Sequence, residues 1–198
     1  HEPAAFLAGL LNAQPLGFYS PSQLVQDARR HGVEVRPPDV MCSAWDCSLE
    51  LPSSARSAHP ALPALHTRSP STQAHQQTNR HTGPAVRLGL RLLAGLSPDV
   101  AQHIVTVRQQ APFTDVDDLA RRADLDQRTL RALAAGDALM SLSGHRRQQV
   151  WEASALHRAP PLLREAPVAE APLALHAAPE GEEIVFDYAS QGLTLRRH

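Results

Sequence analysis

The stretch LLAGLSPDVAQHIVTVR, residues 92–108, decides how this chain is read. An apolar run stops at Gly95, a residue that enters the left-handed backbone region without steric cost. Leu96 follows. Ser97 then stands as a helix cap, with Pro98 at the first helical position and Asp99 in the first turn, where an acid complements the helix dipole. Ala101, Ile104, Val105 and either Val107 or Arg108 carry the helical period to about Gln110.

A helix, a tight glycine turn, an apolar plug and a second capped helix make a helix-hairpin-helix unit. Its N–H groups at the second helix point outward and suit a phosphate, a contact that positions a protein without reading bases. The segment Leu125–Leu133 reads as a second, degenerate copy, a helix, a short DLDQ turn and another helix. The usual second glycine is replaced by Ser97, which weakens the motif. The candidate backbone-binding residues are therefore Gly95, Leu96, Ser97 and Asp99, with Arg91, Arg108, Arg128, Arg146 and Arg147 as phosphate partners. The same spacing also fits a purely structural helical hairpin.

Working outward, the spacing predicts helices over 3–13 and after Ser20, where Ser20, Pro21 and Gln23 form a capping box and Gly32 ends the helix. VEVRPPDV (33–40) reads as a short edge strand. WDCSLE (45–50) and AVRLGL (85–90) alternate as a strand pair. Residues 53–83 lie between them, hold no aromatic, Ile, Val or Met, and read as a disordered insertion. Thr114 is expected to cap DVDDLARRA (115–123), and Asp126 to cap QRTLRALAA (127–135), closed by Gly136. A further helix follows Ser143 or Gly144. Beyond Arg158 a Pro- and Ala-rich linker leads to EEIVFDYASQGLTLRRH (182–198), read as a strand-like piece and a short helix. The expected fold is mainly α with a small β-hairpin, a helical region followed by a tandem helix-hairpin-helix domain.

Charge excludes a broadly basic nucleic-acid binder. Of 198 residues, 19 are arginine or lysine, all of them arginine, against 20 acids. Residues 1–52 carry −3, 53–83 carry +3, 84–158 carry +2 and 159–198 carry −3. Any DNA contact is therefore local. Cys42 and Cys47 read as reduced cytosolic thiols. Even with His59, His66, His75 and His81 nearby in sequence, C-x4-C without a second close pair is a poor zinc signal, and no metal is assigned. Asp115, Asp117 and Asp118 fit a helix first turn better than a metal triad. No catalytic constellation and no membrane-length apolar run is visible. The chain starts at His1 inside a helical pattern, as a piece of a longer protein would.

The words HEPAAFLAGLLNAQPLGFYSPSQLVQDARRHGVEVRPPDV (1–40), WDCSLE, AVRLGLRLLAGLS, PFTDVDDLARRADLD, LAAGDAL, GHRRQ and DYASQGLTLRRH, in this order, resemble the bacterial C-family DNA polymerases, specifically the error-prone branch related to the polymerase III alpha subunit. The resemblance covers all but 53–83 and the region around 159–180. It implies that 1–52 is the end of the fingers region, 84–158 a strand plus the tandem hairpin domain, and 159–198 a linker toward an OB-type domain. It implies DNA-directed DNA polymerase activity in damage-induced mutagenesis and translesion synthesis, in a bacterial cytoplasm. The magnesium-binding catalytic aspartates of that family lie upstream, so no catalytic residue and no cofactor is carried over to this segment. The implied partners are primer–template duplex, deoxynucleotides, other mutagenesis proteins and the sliding clamp, with no membrane. A protein-interaction module with little DNA binding remains the rival expectation.

Overall fold

The computed structural model describes residues 2–50, 83–155 and 175–196. The expected disordered insertion falls, except for Gly83, outside the described residues, as do its histidines and most of the expected linker.

Helix α1 (Pro3–Asn12) buries Ala4, Leu7, Ala8 and Leu11 along one side. Helix α2 (Pro21–Arg30) starts with the expected capping box, in which the Ser20 hydroxyl accepts from the Gln23 amide and the Gln23 side chain accepts from the Ser20 amide. Three short strands follow: β1 (Val35–Arg36), β2 (Ser48–Glu50) and β3 (Ala85–Arg87). β3 is central, antiparallel to β2 as expected and parallel to β1, which is indeed an edge. Arg36 and Arg87 stand side by side across the parallel ladder. Glu50 neutralises both, at 2.6 and 3.0 Å. Burial alone would raise the Glu50 carboxyl, but hydrogen bonds from Arg87 and Arg36 outweigh it and hold the group below its ordinary range. Gly89 lies so close to Trp45 and Asp46 that a Cβ there would collide with their backbone.

The remaining elements are helical. A single 3-10 turn (Leu90–Leu92) precedes α3 (Pro98–Gln110), α4 (Val116–Arg122), α5 (Gln127–Ala135), α6 (Met140–Ser143), α7 (Arg146–Ala155) and α8 (Glu180–Gln191). Leu90, Ile104, Leu119, Leu133 and Leu139 are fully enclosed in one core, and Leu7, Leu11, Val25, Val86 and Leu88 build a second under the sheet. The two meet at Ser43, whose hydroxyl accepts from the Asp39 amide at 3.0 Å and donates to the Leu88 carbonyl at 2.8 Å, while the Asp39 carboxylate accepts from the Met41 amide at 2.8 Å and the Ser141 hydroxyl at 2.6 Å. The Val40 amide donates to the Ala138 carbonyl at 2.9 Å. Among the described residues no helix is long and apolar enough to cross a membrane.

Three expectations need correction. Asp115, not Thr114, caps α4. Its carboxylate accepts from the Asp118 amide at 2.8 Å, and the Thr114 hydroxyl is turned onto Asp115 instead. The segment before Gly95 is one 3-10 turn and not an α-helix, because β3 ends only three residues earlier. The strand-like piece expected within EEIVFDYASQGLTLRRH is replaced by α8, in which Glu183 and Asp187, four apart, reach the same buried arginine and Gly192 closes the helix with φ +69°.

Candidate nucleic-acid interface

The two hairpin turns repeat one local design. Gly95 (φ +85°) and Asp124 (φ +46°) occupy the left-handed region. Leu96 and Leu125 follow as apolar plugs, Leu96 buried and Leu125 half-buried. Ser97 and Asp126 cap the next helix, accepting from the Val100 amide at 3.3 Å and the Thr129 amide at 2.8 Å. Ala101 matches Leu130 and Ile104 matches Leu133 in the shared core. The packing between the two is tight at Gly136, where a Cβ would run into the Leu93 side chain. The space beside Leu93, and not a left-handed φ, calls for glycine at the end of α5, since φ is −80° there.

The first turns differ in what they offer. The leading N–H groups of a helix have no intrahelical acceptor. In α3, Pro98 has no N–H, and the Ser97 cap takes that of Val100, leaving Asp99. In α5, the cap takes that of Thr129 and leaves both Gln127 and Arg128. At the second helical position α3 carries the exposed acid Asp99, whereas α5 carries the exposed cation Arg128, with Arg131 exposed one turn on. Among the described residues no hydrogen bond or ion pair engages the Arg128 guanidinium. The first turn of α5 thus joins two N–H donors to an exposed positive charge, an arrangement whose chemistry suits an anionic oxygen. The Asp126 carboxylate beside them subtracts from this field, and the two arginines offset it.

The other sequence candidates are placed elsewhere. Arg91 donates to the Asn12 carbonyl at 2.6 Å and to Asp46 at 2.7 Å, binding the end of α1 to the 3-10 turn. Arg108 donates to the carbonyls of Val40 and Ser43 at 2.6 and 2.8 Å, and burial lowers its pKa from the usual arginine range. Arg146 is 3% exposed and paired with Glu183 and Asp187. Arg147 is exposed but paired with Glu182 at 3.0 Å. Arg91, Arg108 and Arg146 are thus spent on internal acceptors, and of the five arginines Arg128 alone is brought to a hairpin with its guanidinium unengaged. The sequence reading missed Arg131, which is legible as the residue one turn after Arg128. It also missed Arg122, which donates to the carbonyls of Val107, Ala111 and Pro112 at 3.0, 2.8 and 3.0 Å and fixes the α3–α4 connection.

This geometry agrees with a family model. A model described as helix-hairpin-helix motif matches residues 32–149. The chain belongs to the helix-hairpin-helix family. Over its whole length it is also similar to larger proteins. It is 48% identical to the error-prone DNA polymerase of Methylococcus capsulatus, covering 100% of this chain and 18% of that protein. It is 48% identical to the error-prone DNA polymerase of Azoarcus sp. (100% of this chain, 16% of that one) and 49% identical to that of Ralstonia nicotianae (100% and 16%). The helix-hairpin-helix chain therefore spans 16–18% of the length of these relatives.

Proposed function

We propose that this chain is the part of an error-prone, DNA-directed DNA polymerase that holds the primer–template duplex by its backbone, without reading sequence, during damage-induced translesion synthesis in the bacterial cytoplasm. Residues 1–52 are the end of its fingers region and 84–158 its tandem hairpin domain. The observation that carries the reading is the first turn of α5, with the amides of Gln127 and Arg128 beside the unengaged Arg128 guanidinium. The similarity along the whole chain to error-prone DNA polymerases supports it.

The two hairpins play unequal parts. The second supplies two amides and a cation, and the first supplies one amide beside Asp99. Gly95, Leu96 and Ser97 shape the first turn, and Arg147 becomes a backbone contact only by leaving Glu182. Nucleotidyl transfer belongs to other parts of the parent protein, where Mg2+ supplies two-metal chemistry. Among the described residues no group of three or more His, Cys, Asp or Glu side chains is placed to hold a metal ion, and no residue here is assigned to Mg2+. Deoxynucleotides, the sliding clamp and other mutagenesis proteins are partners of that parent.

Fluorescence anisotropy with two unrelated duplexes tests the reading. Equal affinities that weaken together as salt rises are expected. No binding at low salt would sink it.

A second reading, a docking module for partner proteins, is favoured by the exposed Trp151 on α7 and Val185 on α8. Under it, reversing Arg128 would leave partner capture intact and duplex binding absent from the start.

A further inference from the structure

We infer that residues 180–196 are a clasp that fixes the two hairpins relative to each other, so that the hairpin unit extends to Arg196 instead of ending with α7. The inference rests on the duplex-holding role proposed above, because hairpins grip one backbone together only when their mutual orientation is set.

The clasp touches four elements. At the first hairpin, the Ala94 amide, next to Gly95, donates to the Ser190 carbonyl at the end of α8 at 2.8 Å. At the second, Arg196 reaches Asp137, two residues beyond α5, at 3.0 Å. At α7, Arg146 meets the Glu183 carboxylate and carbonyl, each at 3.0 Å, and the Asp187 carboxylate. At α2, Arg29 donates to the Leu195 carbonyl at 2.9 Å, and Leu193 is fully buried under the sheet.

The chemistry is interlocked. Asp137, Glu183 and Asp187 are buried, and Arg146 and Arg196 neutralise them from two sides. The Gln149 amide donates to Asp137 and the Thr194 hydroxyl to Asp187, each at 2.6 Å. Removing one partner of such a group strands a charge in a dry site, so the network holds or opens as a unit. A free linker would carry no buried acids and no carbonyl aimed at the neighbouring turn. Glu183 and Asp187 are instead unexposed on the inner side of α8.

Hydrogen exchange on the full chain, with Arg196→Gln as the opening variant, decides it. In the unmodified chain the Ala94 amide and the α8 amides should be protected. In Arg196→Gln they should lose protection together, by about tenfold or more, while amides 104–108 inside α3 keep theirs. Duplex affinity should fall about fivefold in the same variant, with Arg196→Lys recovering part of it. Glu180→Gln, in the exposed first turn of α8, should leave both readouts unchanged. Unprotected α8 amides in the unmodified chain would overturn the clasp, and so would an Arg196→Gln chain that frees α8 yet keeps the Ala94 protection and the duplex affinity. If the unmodified chain binds no duplex, the duplex-holding reading fails, and exchange at Ala94 still decides the clasp.

Discussion

The two hairpins share a backbone plan and differ in charge. Each has a left-handed residue, an apolar plug and a side-chain cap in the same order, Gly95–Leu96–Ser97 and Asp124–Leu125–Asp126. The first then presents Pro98 and Asp99, and the second Gln127 and Arg128. Packing needs constrain the plan, since both plugs and both inner helix faces enter one core. No such need constrains the second helical position, which faces solvent. A duplicated fold element can therefore keep its shape while its anion-holding capacity is concentrated in one copy.

The largest expected effect breaks the charged half of the comparison. Arg128→Glu should weaken duplex binding at least about tenfold and reduce the salt slope by about one unit, while Arg108→Gln should act mainly by destabilising the chain. Anisotropy across a salt series, paired with thermal melts, separates the two.

Next comes the left-handed residue. Gly95 has open space around its Cα, so Gly95→Val meets only backbone strain, expected at about 1–2 kcal/mol in a urea melt. Asp124→Gly should stay within about 1 kcal/mol of the parent, because aspartate tolerates that region and glycine enters it freely.

The caps come third. Ser97→Ala and Asp126→Ala should each cost about 1 kcal/mol, Asp126 slightly more for its shorter bond and negative charge at a helix start. Asp126→Ser, which copies the first hairpin's cap, should keep stability and strengthen duplex binding by removing an acid beside the phosphate.

The smallest effect concerns Asp137, just past the second hairpin. Burial pushes its carboxyl above the ordinary aspartate range, against the pull of Arg146, Gln149 and Arg196. A raised folded-state value means that the group's stabilisation is present below the unfolded pKa, about 4, and is lost as pH rises through the folded value. Asp137→Asn keeps an acceptor for Gln149 and removes the charge. Its melting temperature relative to the parent should therefore rise between pH 4 and neutrality, and a relative fall over that window would contradict the assignment.

Much of this was legible in the sequence, and the exceptions have physical causes. Ser20, Ser97 and Asp126 were readable as caps because capping is local, depending on residues within one turn. The strand pair was readable from alternation, but β1's parallel partnership with β3 depends on chain ends far apart in sequence. The arginines were the least legible. Arg91 and Arg108 find carbonyls at Asn12, Val40 and Ser43, and nothing near Arg108 in the chain foretells those acceptors. Arg146 and Arg147 are adjacent in GHRRQ, yet one is enclosed and the other exposed, since neighbouring helix positions point about a quarter-turn apart. The segment EEIVFDYASQGLTLRRH read as a strand-like piece and a short helix. The four-residue spacing of Glu183 and Asp187 was the competing signal, and it prevailed because both acids have a buried partner.

A two-dimensional amide NMR titration of the chain with a short duplex tests the inequality of the hairpins most directly. The amides of Gln127 and Arg128 should shift first and furthest, with Asp99 moving less and the buried helix interiors staying still. Larger shifts at Asp99 and Val100 than at Gln127 and Arg128 would contradict the account.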